Sequence, residues 1–105
     1  MKYVVRPGAR HDILRQYEYY LIEKDADRAA ERFVIAVDSA VAQICRQPGV
    51  GAPKRLASSK LDGLRSWPVQ GFPEIRVYYL LSRSVVRVVR VLHSKRDINP
   101  LLEAE

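Results

Sequence analysis

The amino-acid sequence predicts an α+β domain in which a helical hairpin packs on one face of an antiparallel β-sheet. Two neighbouring stretches with helical apolar spacing occupy the first half of the 105 residues. Three strand-like segments separated by short turns occupy the second half. Strands joined by short turns pair antiparallel, and an apolar helical face needs a sheet to cover. The predicted element order is therefore β-α-α-β-β-β.

The first half supplies one strand and two helices. The strand covers residues 3–6 and stops at Pro7-Gly8, and the first helix covers residues 9–23. Residues at spacings of three and four form its apolar stripe: Ile13, Tyr17, Tyr20 and Leu21. The second helix starts at residues 25–27, where an aspartate suits the N-cap, and runs five turns to Pro48-Gly49. Its apolar stripe is Ala26, Ala29, Phe33, Val37, Ala40, Val41 and Ile44.

The second half supplies a surface loop and three strands. Residues 50–63 form the loop, and the strands cover residues 64–69, 74–81 and 85–93. Ser82-Arg83-Ser84 makes a tight hairpin turn, and Pro68 predicts a sheet edge or a bulge because it lacks an amide donor. Residues 1–98 thus form the domain, and residues 99–105 form a loose C-terminal tail.

The last strand is apolar on both faces. Strict alternation places Val85, Val89 and Val91 on one face, and Val86, Val88 and Leu92 on the other. The helical hairpin covers one of these faces. For so short a chain, we expect another protein to cover the second.

Composition favours a single cytoplasmic domain. Hydrophobic residues make up 48% of the chain and charged residues 29%, and no apolar run is long enough to span a bilayer. The start lacks a signal peptide, and the single cysteine excludes an internal disulfide. Two distant histidines and one cysteine give no metal-site spacing, so neither a metal nor a cofactor is expected. The net charge of +6 is concentrated in residues 54–96, which favours an anionic partner.

The order of elements and several short segments resemble the RelE/ParE toxin superfamily, and specifically its ParE branch. The resemblance covers nearly the whole chain. It rests on Ala9 and Asp12 in the first helix, the Pro48-Gly49 stop, Gly63-Leu64-Arg65, Ile75-Arg76-Val77-Tyr78-Tyr79, and the ending Val-Leu-His-Ser-Lys-Arg-Asp-Ile at residues 91–98. It implies the RelE/ParE-like fold and a toxin of a type II toxin–antitoxin module, of the kind that stabilises plasmids.

Members of the ParE branch poison DNA gyrase by stabilising its DNA-cleaved state, so the resemblance implies protein binding without catalysis. It also implies a hetero-oligomer with a ParD-like ribbon-helix-helix antitoxin. Contact with nucleic acid would be indirect, through the antitoxin or gyrase. An acidic, amphipathic antitoxin segment would cover apolar surface and pair with arginines. The residues expected to bind the antitoxin are Tyr17, Tyr20, Leu21, Arg76, Tyr78 and Arg87, and those expected to bind the target are His93, Lys95 and Arg96.

Two alternatives remain open. RelE-like members cut messenger RNA on the ribosome, and the catalytic set would then be His93 with Arg65, Arg76 and Arg90. This set is incomplete, because no tyrosine follows Tyr79 and no glutamate stands near the start of the second strand. The other alternative is an inert module that only binds the antitoxin. The plain interpretation of His93 is a strand-end histidine bonded to Asp97 or to a backbone carbonyl.

Overall fold

A computed structural model describes all 105 residues of the chain. The strands are β1 (Lys2–Val5), β2 (Ala52–Pro53), β3 (Arg65–Val69), β4 (Phe72–Ser82) and β5 (Val85–His93). The helices are α1 (Pro7–Glu18), which continues as a π-helical turn (Tyr19–Glu23), α2 (Asp27–Arg46) and α3 (Asn99–Glu103). Short 3₁₀ turns span Pro48–Val50 and Ser59–Leu61. No helix combines the length and the apolar character needed to cross a bilayer.

The sheet has the strand order β1-β5-β4-β3-β2. Strands β3 to β5 pair antiparallel, as predicted, and the unpredicted β2 pairs antiparallel with β3. In contrast, β1 pairs parallel with β5, so that Lys2 faces Val85 and Val5 faces Val88. The predicted α+β class is confirmed, with a helical hairpin on one face. The sheet itself is mixed rather than antiparallel throughout, and it has a short extra edge strand within the predicted loop.

The helical hairpin packs its apolar stripes against the sheet. In α2 the buried residues are Ala30, Phe33, Val37, Ala40, Val41 and Ile44, which confirms the predicted stripe from Phe33 onward. The predicted aspartate cap is wrong, because Ala26 occupies the N-cap without a side-chain hydrogen bond. Asp25 instead takes a positive φ of 45° in the turn between the helices, a conformation that aspartate tolerates better than most residues. Asp27 lies in the first helical turn, where its charge is favourable.

A β-bulge in β5 overturns the predicted assignment of its two faces. Tyr78 pairs with Arg90 and Tyr79 pairs with Val88, so Val89 is the extra residue. Beyond the bulge the alternation shifts by one residue. The hairpin-side core contains Val86, Val88 and Val91, and the opposite core contains Val89 and Leu92.

The second face of the sheet is covered by the chain itself. Its core consists of Leu61, Leu64, Tyr78, Leu80, Val89, Leu92, Ile98 and Leu102. The predicted loose tail, residues 99–105, contains α3 (Asn99–Glu103), and Leu102 of this helix is 0% exposed. The expectation that another protein covers this face is therefore wrong: α3 and the loop before β3 fold back over it.

One turn and one register shift match the sequence-based expectations. The β4–β5 hairpin turns through Arg83 (φ 53°) and Ser84 (φ 61°), the two positive φ values of a type I′ turn. The register of β3 against β4 shifts between Pro68 and Val69, at the position where the proline predicted a bulge or an edge.

Candidate functional site

A groove of about 710 Å³ lies between α1 with its π-helical turn and the adjoining ends of β4 and β5. We call it the helix–strand groove. It is lined by Asp12, Arg15, Gln16, Tyr19, Tyr20, Phe72, Pro73, Glu74, Ile75, Val91, Leu92, His93 and Arg96. Apolar and charged side chains both line it.

An aromatic cluster forms one wall of the groove. The ring of Tyr20 lies 5.8 Å from that of Phe33 and 5.5 Å from that of Phe72, and Phe33 and Phe72 pack edge to face at 5.4 Å. Tyr19 meets Tyr20 edge to face and is 42% exposed. The π-helical turn, in which both tyrosines lie, is a rare geometry that is frequent at functional sites.

A three-residue charge network occupies the strand end of the groove. His93 Nε2 lies 2.9 Å from Glu74 Oε2, and Lys95 Nζ lies 2.6 Å from Glu74 Oε1. The hydrogen bond from Lys95 lowers the pKa of Glu74, and the same bond raises the pKa of Lys95. The backbone N–H of Lys95 also donates to His93 Nδ1 at 3.4 Å. Both imidazole nitrogens therefore have a partner within the chain.

Two arginines of the groove lack a carboxylate partner. The four ion pairs of the structure are Arg90 with Asp12, Arg90 with Glu105, His93 with Glu74, and Lys95 with Glu74. Arg15, on α1, and Arg96, after β5, belong to none of them, and both line the groove. Cations without a carboxylate partner beside apolar lining residues suit an acidic ligand that also carries apolar groups.

Asp12, one of the lining residues of the groove, holds α1 against β5. It accepts hydrogen bonds from Arg90 Nε at 2.7 Å, from Arg90 Nη2 at 2.8 Å and from the backbone N–H of Val91 at 3.0 Å. The bond to Asp12 raises the pKa of Arg90. Arg90 also reaches Leu101 O and Glu105, so the guanidinium connects α1, β5 and the end of α3.

Arg65 and Arg76, which the ribonuclease alternative would also use, form hydrogen bonds elsewhere in the fold. Arg65 donates to Gly51 O at 2.6 Å and to Gly49 O at 3.4 Å. Arg76 donates to Ser66 Oγ at 2.9 Å and to Ser66 O at 3.2 Å. Neither side chain lines the helix–strand groove with His93.

The residues predicted to bind the antitoxin do not form one surface. Tyr20 lies in the helix–strand groove, Leu21 is half-buried in the π-helical turn, and Arg76 and Arg87 are half-buried on the sheet. Tyr78 is only 2% exposed, inside the second core, so it does not offer a binding surface in this conformation. Tyr17 lines a second groove, of about 750 Å³, which we call the edge groove. The edge groove is lined by Tyr3, Val4, Val5, Arg10, Ile13, Leu14, Tyr17 and Val34.

The residues predicted to bind the target lie together. His93 and Arg96 line the helix–strand groove, and Lys95 joins them through Glu74. Sequence reasoning missed Arg15 and Glu74, and it expected Asp97 or a backbone carbonyl as the partner of His93. The register of β4 and β5, with Ile75 opposite His93, brings Glu74 near this histidine. No group of three or more His, Cys, Asp or Glu residues is placed to hold a metal ion.

Comparisons with known proteins agree on one family. The family model described as "ParE toxin of type II toxin-antitoxin system, parDE" matches residues 3–98. No curated protein sequence matches the chain. A solved structure of the chromosomal ParDE toxin–antitoxin system from P. aeruginosa is similar with a TM-score of 0.71 and 14% identity, covering 90% of this chain and 97% of that one.

Two further solved structures share the fold. The YoeB/ParE toxin from Agrobacterium tumefaciens has a TM-score of 0.56 and 21% identity, covering 89% of this chain and 98% of that one. The heterotetrameric YoeB-YefM toxin–antitoxin complex from Staphylococcus aureus contains a chain with a TM-score of 0.52 and 20% identity, covering 87% of this chain and 93% of that one. At these identities the likeness concerns the fold.

Proposed function

Since the chain belongs to the ParE toxin family of type II toxin–antitoxin systems, we propose that it inhibits DNA gyrase by binding and that a ParD-like ribbon-helix-helix antitoxin neutralises it. The toxin stabilises the DNA-cleaved state of gyrase and catalyses no reaction of its own. In the absence of target it forms a hetero-oligomer with the antitoxin.

The observation that carries the proposal is the composition of the helix–strand groove. The groove is lined by His93, Arg96 and Arg15, and neither arginine has a carboxylate partner. Such a site attracts an acidic protein surface and desolvates apolar side chains on its aromatic wall. Binding of this kind needs positive charge and shape, but no general acid or base.

The alternative is ribosome-dependent cleavage of messenger RNA. The contact between His93 and Glu74 favours it, because a carboxylate that orients an imidazole is a common acid–base arrangement. Against it, Arg65, Arg76 and Arg90 are each hydrogen-bonded to a different part of the fold. Phosphate stabilisation would need these cations to converge on one position.

The first experiment is a gyrase assay with the purified chain on plasmid DNA, in which supercoiling and trapped cleavage are read together. We expect linear, protein-linked DNA to accumulate, and we expect the antitoxin encoded beside the toxin gene to suppress it. Unchanged gyrase activity from a chain that still binds this antitoxin would refute the gyrase target. Ribosome-dependent RNA cleavage would then be assayed.

Charge-reversal variants connect the activity to the groove. Arg15→Glu and Arg96→Glu should each weaken gyrase trapping about tenfold, because each replaces an uncompensated cation by an anion. Arg28→Glu is the matched control, since Arg28 is exposed on α2 and does not line the groove. His93→Ala should leave trapping within a few-fold of the parent. Complete loss of toxicity in His93→Ala alone would favour the ribonuclease.

A further inference from the structure

Three cations lie in a row on the face of the sheet opposite the helical hairpin. Both neighbours of Arg87 in β5 belong to the hairpin-side core, so the side chain of Arg87 points to the opposite face. Val5 packs against the hairpin-side core, and the alternation along this segment therefore sends Lys2 and Arg6 to the same face as Arg87. Lys2 is exposed, and the two arginines are half-buried. We call these three residues the basic row.

The parallel register of β1 and β5 sets the spacing of the basic row. Lys2 pairs with Val85, so Arg87 lies two residues further along the strand direction. The N–H of Arg6 donates to Val88 O at 3.0 Å, which continues the register and places Arg6 two residues beyond Arg87. At about 3.3 Å per residue, the cations follow one another at intervals of about 6.6 Å and cover about 13 Å.

No carboxylate of the chain neutralises the basic row. None of its members belongs to the four ion pairs of the structure. Neither residues 1–11 nor residues 75–96, which include β1 and β5, contain an acidic residue. Glu105 comes close to one end of the row, since a Cβ at Gly8 would lie 3.1 Å from its Oε1, but Glu105 pairs with Arg90. Like charges at this spacing repel one another, so a ligand with several negative charges would stabilise them.

The surroundings of the cations distinguish a nucleic-acid ligand from a protein ligand. In the helix–strand groove the cations lie beside an aromatic wall, which suits a protein surface. The basic row has no aromatic member, and the side chains among its cations are those of Val4 and Val85. One strand of duplex DNA carries a phosphate for about every 3.4 Å of helix axis, so a row of about 13 Å spans about four base-pair steps. The row therefore matches a DNA backbone in both charge and length.

We propose that the basic row binds the phosphate backbone of duplex DNA directly, and that this DNA is the segment held by gyrase. The helix–strand groove then contacts the gyrase protein while the basic row contacts the DNA, so the toxin bridges the two components of the cleaved complex. This contact is direct, whereas the family resemblance implied only indirect contact with nucleic acid. The involvement of gyrase rests on the proposed function. The binding of phosphates rests on the basic row alone, and it is independent of base sequence.

The salt dependence of DNA binding counts the cations that take part. A fluorescent duplex of about 20 base pairs is titrated with the full chain, and anisotropy gives the affinity at about 50 and about 200 mM salt. Three neutralised phosphates give a log–log slope of about −2.7, which is about a 40-fold loss of affinity over this range. Lys2→Gln, Arg6→Gln and Arg87→Gln should each reduce this loss to about 12-fold, because two contacts remain. Arg28→Gln, at an exposed position on α2, is the matched control and should keep the loss of about 40-fold.

Variants of the two surfaces separate the DNA contact from the gyrase contact. Arg87→Gln should weaken the trapping of cleaved DNA while leaving binding to DNA-free gyrase within about twofold of the parent. Arg15→Glu should weaken binding to DNA-free gyrase about tenfold while leaving duplex affinity within about threefold. Thermal unfolding of each variant verifies that it is folded. Lys2→Gln changes an exposed side chain without an ion pair, so it tests the row even if Arg87→Gln does not fold.

The possible results separate the DNA contact from the gyrase target. Duplex binding that none of the three row variants changes, or no duplex binding at low salt, would overturn the phosphate contact and leave the gyrase target standing. Equally tight binding of poly-glutamate would show that the row takes an acidic protein segment, and tighter binding of single-stranded RNA would favour the ribonuclease. Either result overturns the proposal. Duplex binding through the row without any trapping by gyrase would support the DNA site and refute the gyrase target.

Discussion

Replacing Asp12 by alanine should destabilise the fold more than any exposed-charge substitution. The carboxylate accepts two hydrogen bonds from Arg90 and one from Val91. Without it, the guanidinium is left 15% exposed, with only the longer contacts to Leu101 O at 3.4 Å and to Glu105 at 3.5 Å. Breaking one side of a buried ion pair costs about 3–5 kcal/mol. Because Arg90 retains these two contacts, we expect the lower value, about 3 kcal/mol.

Urea unfolding followed by the fluorescence of Trp67, the single tryptophan, measures this loss. A loss of about 3 kcal/mol also corresponds to a melting temperature lower by about 12 °C for a chain of this size. Asp38→Ala is the control, because Asp38 is exposed on α2 and forms no ion pair. In a double-mutant cycle, Arg90→Met should recover part of the loss caused by Asp12→Ala. The reasoning is refuted if Asp12→Ala and Asp38→Ala agree within about 0.5 kcal/mol.

Four further predictions concern other contacts of the fold. Tyr79→Phe removes a buried hydroxyl that accepts from Gly51 N–H at 2.9 Å, so it should cost about 1–3 kcal/mol in urea unfolding. Gly51→Ala should also lower stability, since a Cβ would lie 2.6 Å from the Tyr79 oxygen. Leu102→Ala should cost about 2–5 kcal/mol in thermal unfolding, and a negligible change would mean that α3 does not hold the second core. The lowered pKa of Glu74 means that its carboxylate stabilises the fold above the ordinary value of 4.5, and that this contribution is lost as the pH falls through the lowered value. Lys95→Ala should therefore raise the pKa of Glu74 in an NMR titration of the side-chain carboxyl, and an unchanged titration would refute the link.

The elements that local patterns control could be predicted from the sequence. The helical stripe from Phe33 to Ile44 follows from its spacing, and a tight turn at Ser82-Arg83-Ser84 follows from the short polar segment between two apolar strands. The bulge at Val89 could not be predicted, because Val-Val-Arg-Val-Val contains no glycine or other local mark of an extra residue. One unmarked residue was enough to exchange the faces assigned to Val91 and Leu92.

The candidate site was only partly predictable, because its contacts join distant parts of the chain. His93, Lys95 and Arg96 stood out as a basic cluster and do meet in the helix–strand groove. The position of the Glu74 carboxylate between His93 and Lys95 could not be predicted, because it depends on the register of β4 and β5. Likewise, residues 99–105 were predicted to form a loose tail, although the proline at position 100 is well accommodated at the start of α3.

The parallel pairing of β1 with β5 has a consequence for how the chain folds during synthesis. Lys2 cannot pair with β5 until Val85 has been synthesised, and Asp12 cannot bind Arg90 until Arg90 has been synthesised. At about 5–20 residues per second, this delay is roughly 4–17 seconds. Contacts of such long sequence separation also slow folding itself. During this interval the apolar β1 segment has no native partner strand, and the neighbouring charges of Lys2 and Arg6 help to keep it from pairing with other nascent chains.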